Sequence, residues 1–303
     1  MRALLGHPSL ARPVIVVFAV SVVSIVSAGK QVAPETRGAP PAVLGLDHIP
    51  IAVDTLSSAA MRYRDLGFSL KPGRPHANGI QNEHVKFADG TELELITASE
   101  ATDALTTMYR QHLVQGDGPA FLAFFAPDLD PVARRLDSLK ISYRRVPPFI
   151  DVLDTSLAYI FFGPRNHSPT DRPEHFNHAN TAQSLIAVWL AEDELGHERR
   201  LLRTLGAALS EEHVRLPEPV NATVAHLPEG DVVLLPGSRR LAPGRRIVGA
   251  TVRVRSIDIA AQVLERVTLS SPPRRAASGT GTSIFFSPDV AHGLWLELRE
   301  LSR

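Results

Sequence analysis

The feature that most constrains this chain is a recurring order of secondary-structure signals: an extended apolar run, a helix, and then further extended runs. The first copy begins with the run 46–53, and apolar residues at helical spacing predict a helix at 56–66. Later strands are indicated at 82–88 and 91–97, joined by an Asp-Gly turn that is typical of a hairpin. A repeated order determines an architecture better than any single element.

The same order recurs in three further copies. Their first strands are predicted at 119–125, 184–190 and 247–254, and a helical pattern follows each of them. We therefore predict an α+β chain of four βαβββ modules, paired into two open cup-like mixed β-sheets with the helices outside. The first pair of modules is predicted at 44–182 and the second pair at 183–303.

The N-terminus has the order of a secretory signal. Arg2 and Arg12 precede the apolar run 14–26, and small residues follow it. We predict a signal peptide at 1–28 that is cleaved, and a linker at 29–43. The apolar run is shorter than the ~20 residues that span a bilayer, so an uncleaved anchor is the lesser alternative. The body is predicted to be exported, periplasmic or secreted, with no stable membrane span after cleavage.

Composition narrows the possible partners and cofactors. The chain has 32 Lys and Arg residues and 32 Asp and Glu residues, so its formal net charge is zero. A protein without net positive charge is not expected to bind nucleic acid. It has no cysteine, which excludes disulfides, thiolate nucleophiles and cysteine-based zinc sites. Any metal must be held by histidine, carboxylate or water. A small-molecule substrate or ligand is the expected partner, and a homodimer is possible.

Alternation along two strands predicts two candidate ligands on one face. Successive side chains of a strand point to opposite faces of the sheet. In the first run, Leu46 and His48 are predicted to share the face opposite to Ile49. In the last run of the same module, Glu94 lies opposite the apolar Leu93. His48 and Glu94 are therefore predicted to face the inside of the cup together.

An imidazole and a carboxylate can begin a site for a divalent ion such as zinc, manganese, iron or nickel. A metal site needs three or four protein ligands, however, and Leu122 stands where the second module would place the counterpart of His48. Both candidates also have an ordinary interpretation, His48 as a rim histidine bonded to a carbonyl and Glu94 as part of a solvated strand face. The possible further ligands are His76, His84, Glu174, His175 and His178.

Four stretches carry a family resemblance: Leu46-Asp-His-Ile49, His76 with Gly79 and Asn82, Thr91-Glu-Leu-Glu-Leu-Ile96, and His178-Ala-Asn180. The first three resemble the glyoxalase-like domain family of the vicinal oxygen chelate superfamily, to which glyoxalases, bleomycin-resistance proteins and extradiol dioxygenases belong. The fourth resembles that family's His-Pro-Asn-Gly element. The sequence departs from the family pattern at Ile80, where a small hydroxyl residue is usual, and at Thr181, where glycine is usual.

The resemblance implies a divalent metal in the cup of the first two modules. It also implies an enzyme of the lyase, isomerase or dioxygenase type that acts on a small oxygen-bearing substrate. The alternative is a non-catalytic protein that binds a small molecule in the same cup. The implied site residues are His48, Glu94 and His178 as metal ligands, Glu94 and His76 as catalytic groups, and Asn82 and Asn180 as substrate-binding groups.

Overall fold

A computed structural model describes residues 40–278 and 281–302 of the chain. The predicted signal peptide and most of the predicted linker lie outside the described residues. The folded part begins before Leu44, because Ala42 and Val43 are buried and the Ala42 N–H donates to the Leu205 carbonyl at 2.8 Å. None of the helices in the described ranges is long and apolar enough to cross a bilayer.

The first two modules form two five-stranded sheets. Module 1 contains β1 (Gly45–Leu46), β2 (His48–Ala52), α1 (Leu56–Asp65), β3 (Lys71–Pro72), β4 (Ile80–Lys86) and β5 (Glu92–Ala98), and α2 (Ala104–Leu113) links it to module 2. Module 2 contains β6 (Gly118–Pro119), β7 (Leu122–Phe125), α3 (Leu129–Leu139), β8 (Tyr143–Val146), β9 (Phe149–Val152) and β10 (Ile160–Gly163). The strand orders are β3-β4-β5-β2-β6 and β1-β7-β10-β9-β8, so each sheet includes a short strand from the other module.

The last two modules share one eight-stranded sheet. Module 3 contains β11 (Ala182–Glu192), α4 (Gly196–Leu205), β12 (Ala208–Arg215), β13 (Pro219–His226) and β14 (Asp231–Pro236). Module 4 contains β15 (Ile247–Val254), α5 (Ile257–Leu264), β16 (Arg274–Ser278), β17 (Gly281–Phe286) and β18 (Trp295–Leu301). The order is β12-β13-β14-β11-β15-β18-β17-β16, with β11 and β15 antiparallel at its centre. The predicted α+β architecture of four repeated modules is confirmed.

The two faces of the first sheet divide as the alternation predicts, with one exception. Ile49 and Leu93 are fully buried in the main core together with Tyr63 of α1, whereas His48 faces away from the helix. Leu46 is the exception, since it packs in the same core rather than beside His48. The cause is an irregular residue, Asp47, which separates β1 from β2 and reverses the alternation there.

One helix was not anticipated from the sequence. Helix α2 starts after Asp103, whose carboxylate accepts from the Thr106 N–H while the Thr106 hydroxyl caps the Asp103 backbone N–H. This reciprocal pair is a capping box formed by aspartate and threonine. It places α2 against the open end of the first sheet, where Tyr109 is buried.

The loop after α2 is held by residues from the second half of the chain. The Arg245 guanidinium donates to three carbonyl oxygens at and beyond the helix end, those of His112, Gly116 and Asp117. The Asp117 carboxylate accepts from Nδ1 of His292 at 2.6 Å and from a backbone N–H before α1. The free carbonyl oxygens of a helix end need such donors, so modules 3 and 4 fix the position of α2.

Candidate functional site

The concave face of the first sheet changes in character along its length. At one end lie small and apolar side chains of β2, β4 and β5, covered by Tyr109 of α2. In the middle lie Asn82 and Glu94, and His48 follows in the same cross-strand row as Glu92. At the other end lie charged side chains, among them Lys86. A bound molecule along this face would therefore meet an apolar region, a hydrogen-bonding region and an ionic region in turn.

His48 is held by the residue before it. Its Nδ1–H donates to the Asp47 carboxylate at 2.8 Å, and its Nε2 lies 3.7 Å from Oε2 of Glu94. Burial lowers the pKa of His48, but Asp47, assisted by Glu92 and Glu94, outweighs burial and raises the pKa to about 9. His48 is therefore an imidazolium at neutral pH, with its Nε2–H facing the Glu94 carboxylate.

Glu94 is held by Asn82. The Asn82 side-chain amide donates to Oε1 of Glu94 at 2.6 Å, which leaves Oε2 facing His48. Two buried oxygens next to this group, Oδ1 of Asn82 and Oδ1 of Asp47, have no hydrogen-bond partner in the described structure. Unpaired buried acceptors are unfavourable and are normally satisfied by water or a ligand. The middle of the cup is therefore rich in acceptors that a ligand or water can satisfy.

Aromatic rings form the wall opposite His48. The Phe161 ring meets the His48 ring edge-on at 5.3 Å, and Phe121 and Phe149 pack around Phe161. Tyr109 packs against Phe121 at 5.4 Å. Burial, with a smaller contribution from the Glu94 carboxylate, raises the pKa of Tyr109, so its hydroxyl stays protonated. The wall suits an apolar or aromatic molecule.

The ionic end of the cup carries a carboxylate with a low pKa. Glu92 is 1% exposed, and burial raises its pKa. The neighbouring His84, His48 and Lys86 outweigh burial and lower the pKa to about 2. Glu92 is therefore ionised at all ordinary pH values and compensates the positive charges around it.

The structure places His178 on the other face of the sheet. Its ring packs against Phe68 and Phe87, and Phe87 belongs to the main core. Nδ1 accepts from the Ser69 N–H at 3.0 Å and Nε2 donates to the Lys86 carbonyl at 3.0 Å. Burial lowers the pKa of His178, in keeping with a neutral ring that uses both nitrogens in backbone contacts. The structure does not bring His178 to His48 and Glu94.

Asn180 has a structural position as well. Its amide donates to the Leu66 carbonyl at 2.9 Å, its Oδ1 accepts from the Ala182 N–H, and it is 0% exposed. It thus joins the end of α1 to the start of β11. His76 is half-buried with its Nε2 enclosed, and no hydrogen bond or ion pair among the described residues joins it to His48 or Glu94. Of the six predicted site residues, His48, Glu94 and Asn82 come together.

A family model described as a glyoxalase-like domain matches residues 46–206, which is more than half of the chain. The chain belongs to the glyoxalase-like domain family. No curated protein matches its sequence.

Solved structures agree with this family assignment at the level of the fold. A mutant 4-hydroxymandelate synthase from Streptomyces coelicolor superposes with a TM-score of 0.63 at 15% identity, covering 87% of this chain and 93% of that one. A catechol 2,3-dioxygenase gives 0.57 at 14% identity, covering 86% and 89%. A variant of homoprotocatechuate 2,3-dioxygenase from B. fuscum gives 0.59 at 15% identity, covering 87% and 73%. The glyoxalase-like chain therefore has the vicinal oxygen chelate fold.

A divalent metal is the cofactor expected for this fold, and the donor set of this glyoxalase-like chain fits it incompletely. His48 and Glu94 could both contact one ion. Within residues 40–278 and 281–302, however, no group of three His, Asp or Glu side chains is arranged to hold a metal. Ligation would also require the His48 ring to lose its Nε2 proton. The predicted set of His48, Glu94 and His178 is not assembled.

The second module offers no ligand either, although the reason differs from the predicted one. Leu122 was expected at the position that corresponds to His48 in the second module, but it lies in the main core. Ala123 pairs with Phe161, so these two residues share the cup face. The register is thus shifted by one residue from the one inferred from the repeat, and a shift of one exchanges the two faces of a strand. Neither alanine nor phenylalanine can bind a metal.

The second cup contains a buried hydrogen-bond network. Nε1 of Trp189 donates to the Thr251 hydroxyl at 3.0 Å, and this hydroxyl donates to Glu297 at 2.7 Å. Ser283 and Arg299 occupy the remaining acceptor sites of the Glu297 carboxylate. Glu297 is 0% exposed and fully partnered. It is unavailable to a metal or a ligand.

Several residues of the site in this glyoxalase-like chain were not predicted from its sequence. Asp47 is adjacent to His48, and a carboxylate next to a strand histidine is a signal for an oriented imidazole. Tyr109 could have been found through the capping box at Asp103. Phe121 and Phe161 carry no separate sequence signal, because aromatic residues in strands are ordinary core residues.

Proposed function

We propose that the N-terminal cup binds a small, mostly apolar molecule whose oxygen atom accepts a hydrogen bond from Nε2 of His48. The proposal rests on one observation: Asp47 fixes Nδ1, so that the charged Nε2–H faces the Glu94 carboxylate beside the aromatic wall of the cup. A few convergent polar groups in an apolar hollow are typical of ligand sites. The protein that carries this cup is proposed to be exported.

The same pair could also move a proton. An imidazolium beside a carboxylate 3.7 Å away can donate to a carbonyl or enolate oxygen while the carboxylate accepts from carbon or water. The chemistry stays within the glyoxalase-like class of small oxygen-bearing substrates. We propose binding as the primary function, and catalytic turnover would be an additional property of the same site.

A metal-dependent enzyme is the second candidate function. The observation that favours it is the excess of carboxylates around His48, namely Asp47, Glu92 and Glu94, since a negative buried environment attracts a cation as well as a proton. With His48 and Glu94 as the protein donors, water or substrate would have to supply the other ligands of a zinc, manganese, iron or nickel ion.

The test uses the folded protein after chelator treatment and a neutral probe with one amide oxygen, 3-phenylpropionamide. Titration calorimetry should detect binding by the chelated protein, and His48→Leu should abolish it. The exposed His197 provides the matched control as His197→Gln, which should bind like the unaltered protein. Binding that returns only after a metal is added would support the second candidate instead. Undiminished binding by His48→Leu would show that the proposed site is wrong.

A further inference from the structure

Two lysine side chains converge on one carboxylate at the ionic end of the cup. Nζ of Lys71 lies 2.8 Å from Oδ1 of Asp171, and Nζ of Lys86 lies 2.8 Å from Oδ2. Lys86 is 1% exposed, and the Lys71 side chain is 9% exposed. Lysines this deeply buried require an anion, because an unpaired buried ammonium is strongly destabilising.

The carboxylate that they bind does not belong to the sheet. Asp171 lies in the segment 164–172, which follows β10, has neither helix nor strand, and is mostly exposed. The segment bends so that the Ser168 N–H donates to Asp171 at 2.9 Å. The lysines, by contrast, are fixed on β3 and β4. A surface segment thus supplies the carboxylate of Asp171 to two lysines that are held in place by the sheet.

The two lysines differ in their other partners. Lys86 also donates to the Asn166 carbonyl at 2.7 Å and lies 3.7 Å from Glu92. Asp171 is the only partner of the Lys71 ammonium in the described part of the chain. If the segment moves away, Lys71 loses its counter-charge, and another anion must replace Asp171.

The lysines also lie on the same face as the proposed ligand site. Lys71 pairs with His84, and Lys86 pairs with Glu92, which in turn pairs with His48. Residues directly opposite in neighbouring strands point to the same side of a sheet. A molecule whose oxygen meets His48 can therefore extend an anionic group toward Lys71 and Lys86.

We propose that Lys71 and Lys86 form a carboxylate-binding subsite of the N-terminal cup, that Asp171 fills this subsite in the absence of ligand, and that the natural ligand is a small apolar carboxylic acid. The proposal rests on the proposed function, because the apolar and oxygen-binding parts of the cup hold the rest of the molecule. Burial of Asp171 is outweighed by the two lysines and the Ser168 N–H, which keep its pKa well below the ordinary value.

The experiment compares 3-phenylpropionate with 3-phenylpropionamide, two probes of nearly equal shape that differ in charge. Calorimetry at constant ionic strength should show that the acid binds at least about tenfold more tightly than the amide. Lys71→Met should reduce this ratio to about one, since the subsite loses an ammonium group. Asp171→Asn should increase the affinity for the acid by about fivefold or more, since the competing carboxylate is gone. Thermal unfolding confirms that each variant is folded.

Lys140, which is exposed at the end of α3, provides the matched control. Lys140→Met removes the same charge and should leave the ratio unchanged. The subsite is disproved, and the proposed function retained, if the amide binds but the acid binds no more tightly. It is also disproved if Lys71→Met keeps the ratio or if Asp171→Asn weakens acid binding. Failure of both probes to bind would disprove the proposed function together with the subsite.

Discussion

Nε2 of His178 donates to the carbonyl oxygen of Lys86 at 3.0 Å, while the Lys86 ammonium lies on the opposite, concave face of the same strand. The imidazole therefore stabilises strand β4 from the convex side of the sheet. With its second nitrogen bonded to the Ser69 N–H, the ring joins the end of β4 to the segment before β3. The element that resembles the family's His-Pro-Asn-Gly sequence is a structural support in this chain.

We expect His178→Leu to destabilise the fold without changing the site chemistry. The substitution removes two buried hydrogen bonds between the imidazole and the backbone, which should lower the free energy of unfolding by about 2–4 kcal/mol. The measurement is the free energy of unfolding in denaturant, together with elemental analysis and binding of the neutral probe. His48→Leu is the comparison, because it should abolish probe binding. A metal that is present in the unaltered protein and lost specifically in His178→Leu would contradict the structural role.

Gly73→Ala should weaken the proposed site through Asn82. A Cβ atom at Gly73 would overlap both Oδ1 and the backbone oxygen of Asn82, so the backbone there must shift and the amide must turn and release Glu94. The loss of one hydrogen bond to an ionised group corresponds to about tenfold weaker probe binding. Gly196→Ala is the control, because a Cβ atom there meets nothing within 4 Å. Equal probe affinity for Gly73→Ala and the unaltered protein would mean that Asn82 does not orient Glu94 for binding.

Acid should destabilise the protein through His112. Burial, together with the Arg245 guanidinium, lowers the pKa of His112 from its ordinary value of 6.5 to about 4. The unfolded chain therefore binds a proton between these pH values and the folded chain does not. The contribution of His112 to the free energy of unfolding is fully present above pH 6.5 and is lost as the pH falls toward 4. This loss is on the order of 3 kcal/mol.

The free energy of unfolding at pH 7 and at pH 4.5 provides the measurement for His112. His112→Gln should show a smaller loss between the two pH values than the unaltered protein, whereas His197→Gln should show the same loss. An unchanged pH dependence in His112→Gln would mean that the ring is accessible to protons in the folded state.

Thr251→Val should affect stability but not the N-terminal cup. The hydroxyl bonds both Trp189 and Glu297, and its removal leaves a buried indole N–H unpaired and takes one of two donors from Oε2 of the buried Glu297 carboxylate. We expect a loss of about 2–4 kcal/mol in the free energy of unfolding. Affinity for 3-phenylpropionamide should stay the same. A change in that affinity at 25 °C, with the variant still folded, would show that the second cup takes part in binding.

The sequence was most informative where periodicity and residue chemistry agree. The alternation in β2 and β5 placed His48 and Glu94 on one face because both strands are regular there. It misplaced Leu46 because a single irregular residue, Asp47, reverses the alternation. The repeat also predicted the architecture, since each module must bury the same apolar faces.

Positions that depend on long-range contacts were beyond the sequence. Thr181 has φ 61, the conformation that the family's glycine adopts easily, and its hydroxyl bonds to the backbone of Ser256 on both sides. The side chain thus compensates for a conformation unfavourable to a β-branched residue. His178 and Asn180 likewise owe their roles to partners more than 90 residues away, and no local pattern reveals such partners.

The contacts of Arg245 and His292 limit how far this protein can be shortened. The family match ends at residue 206, yet the loop that positions α2 over the cup is bonded to residues 39 and 86 positions beyond that end. A truncated gene product that stops at the family boundary would lose the donors for the carbonyl oxygens at the end of α2. The family match alone would suggest expressing residues up to 206 as a fragment. In that fragment α2 would lack the contacts with Arg245 and His292, so the whole polypeptide is the better choice for ligand screening.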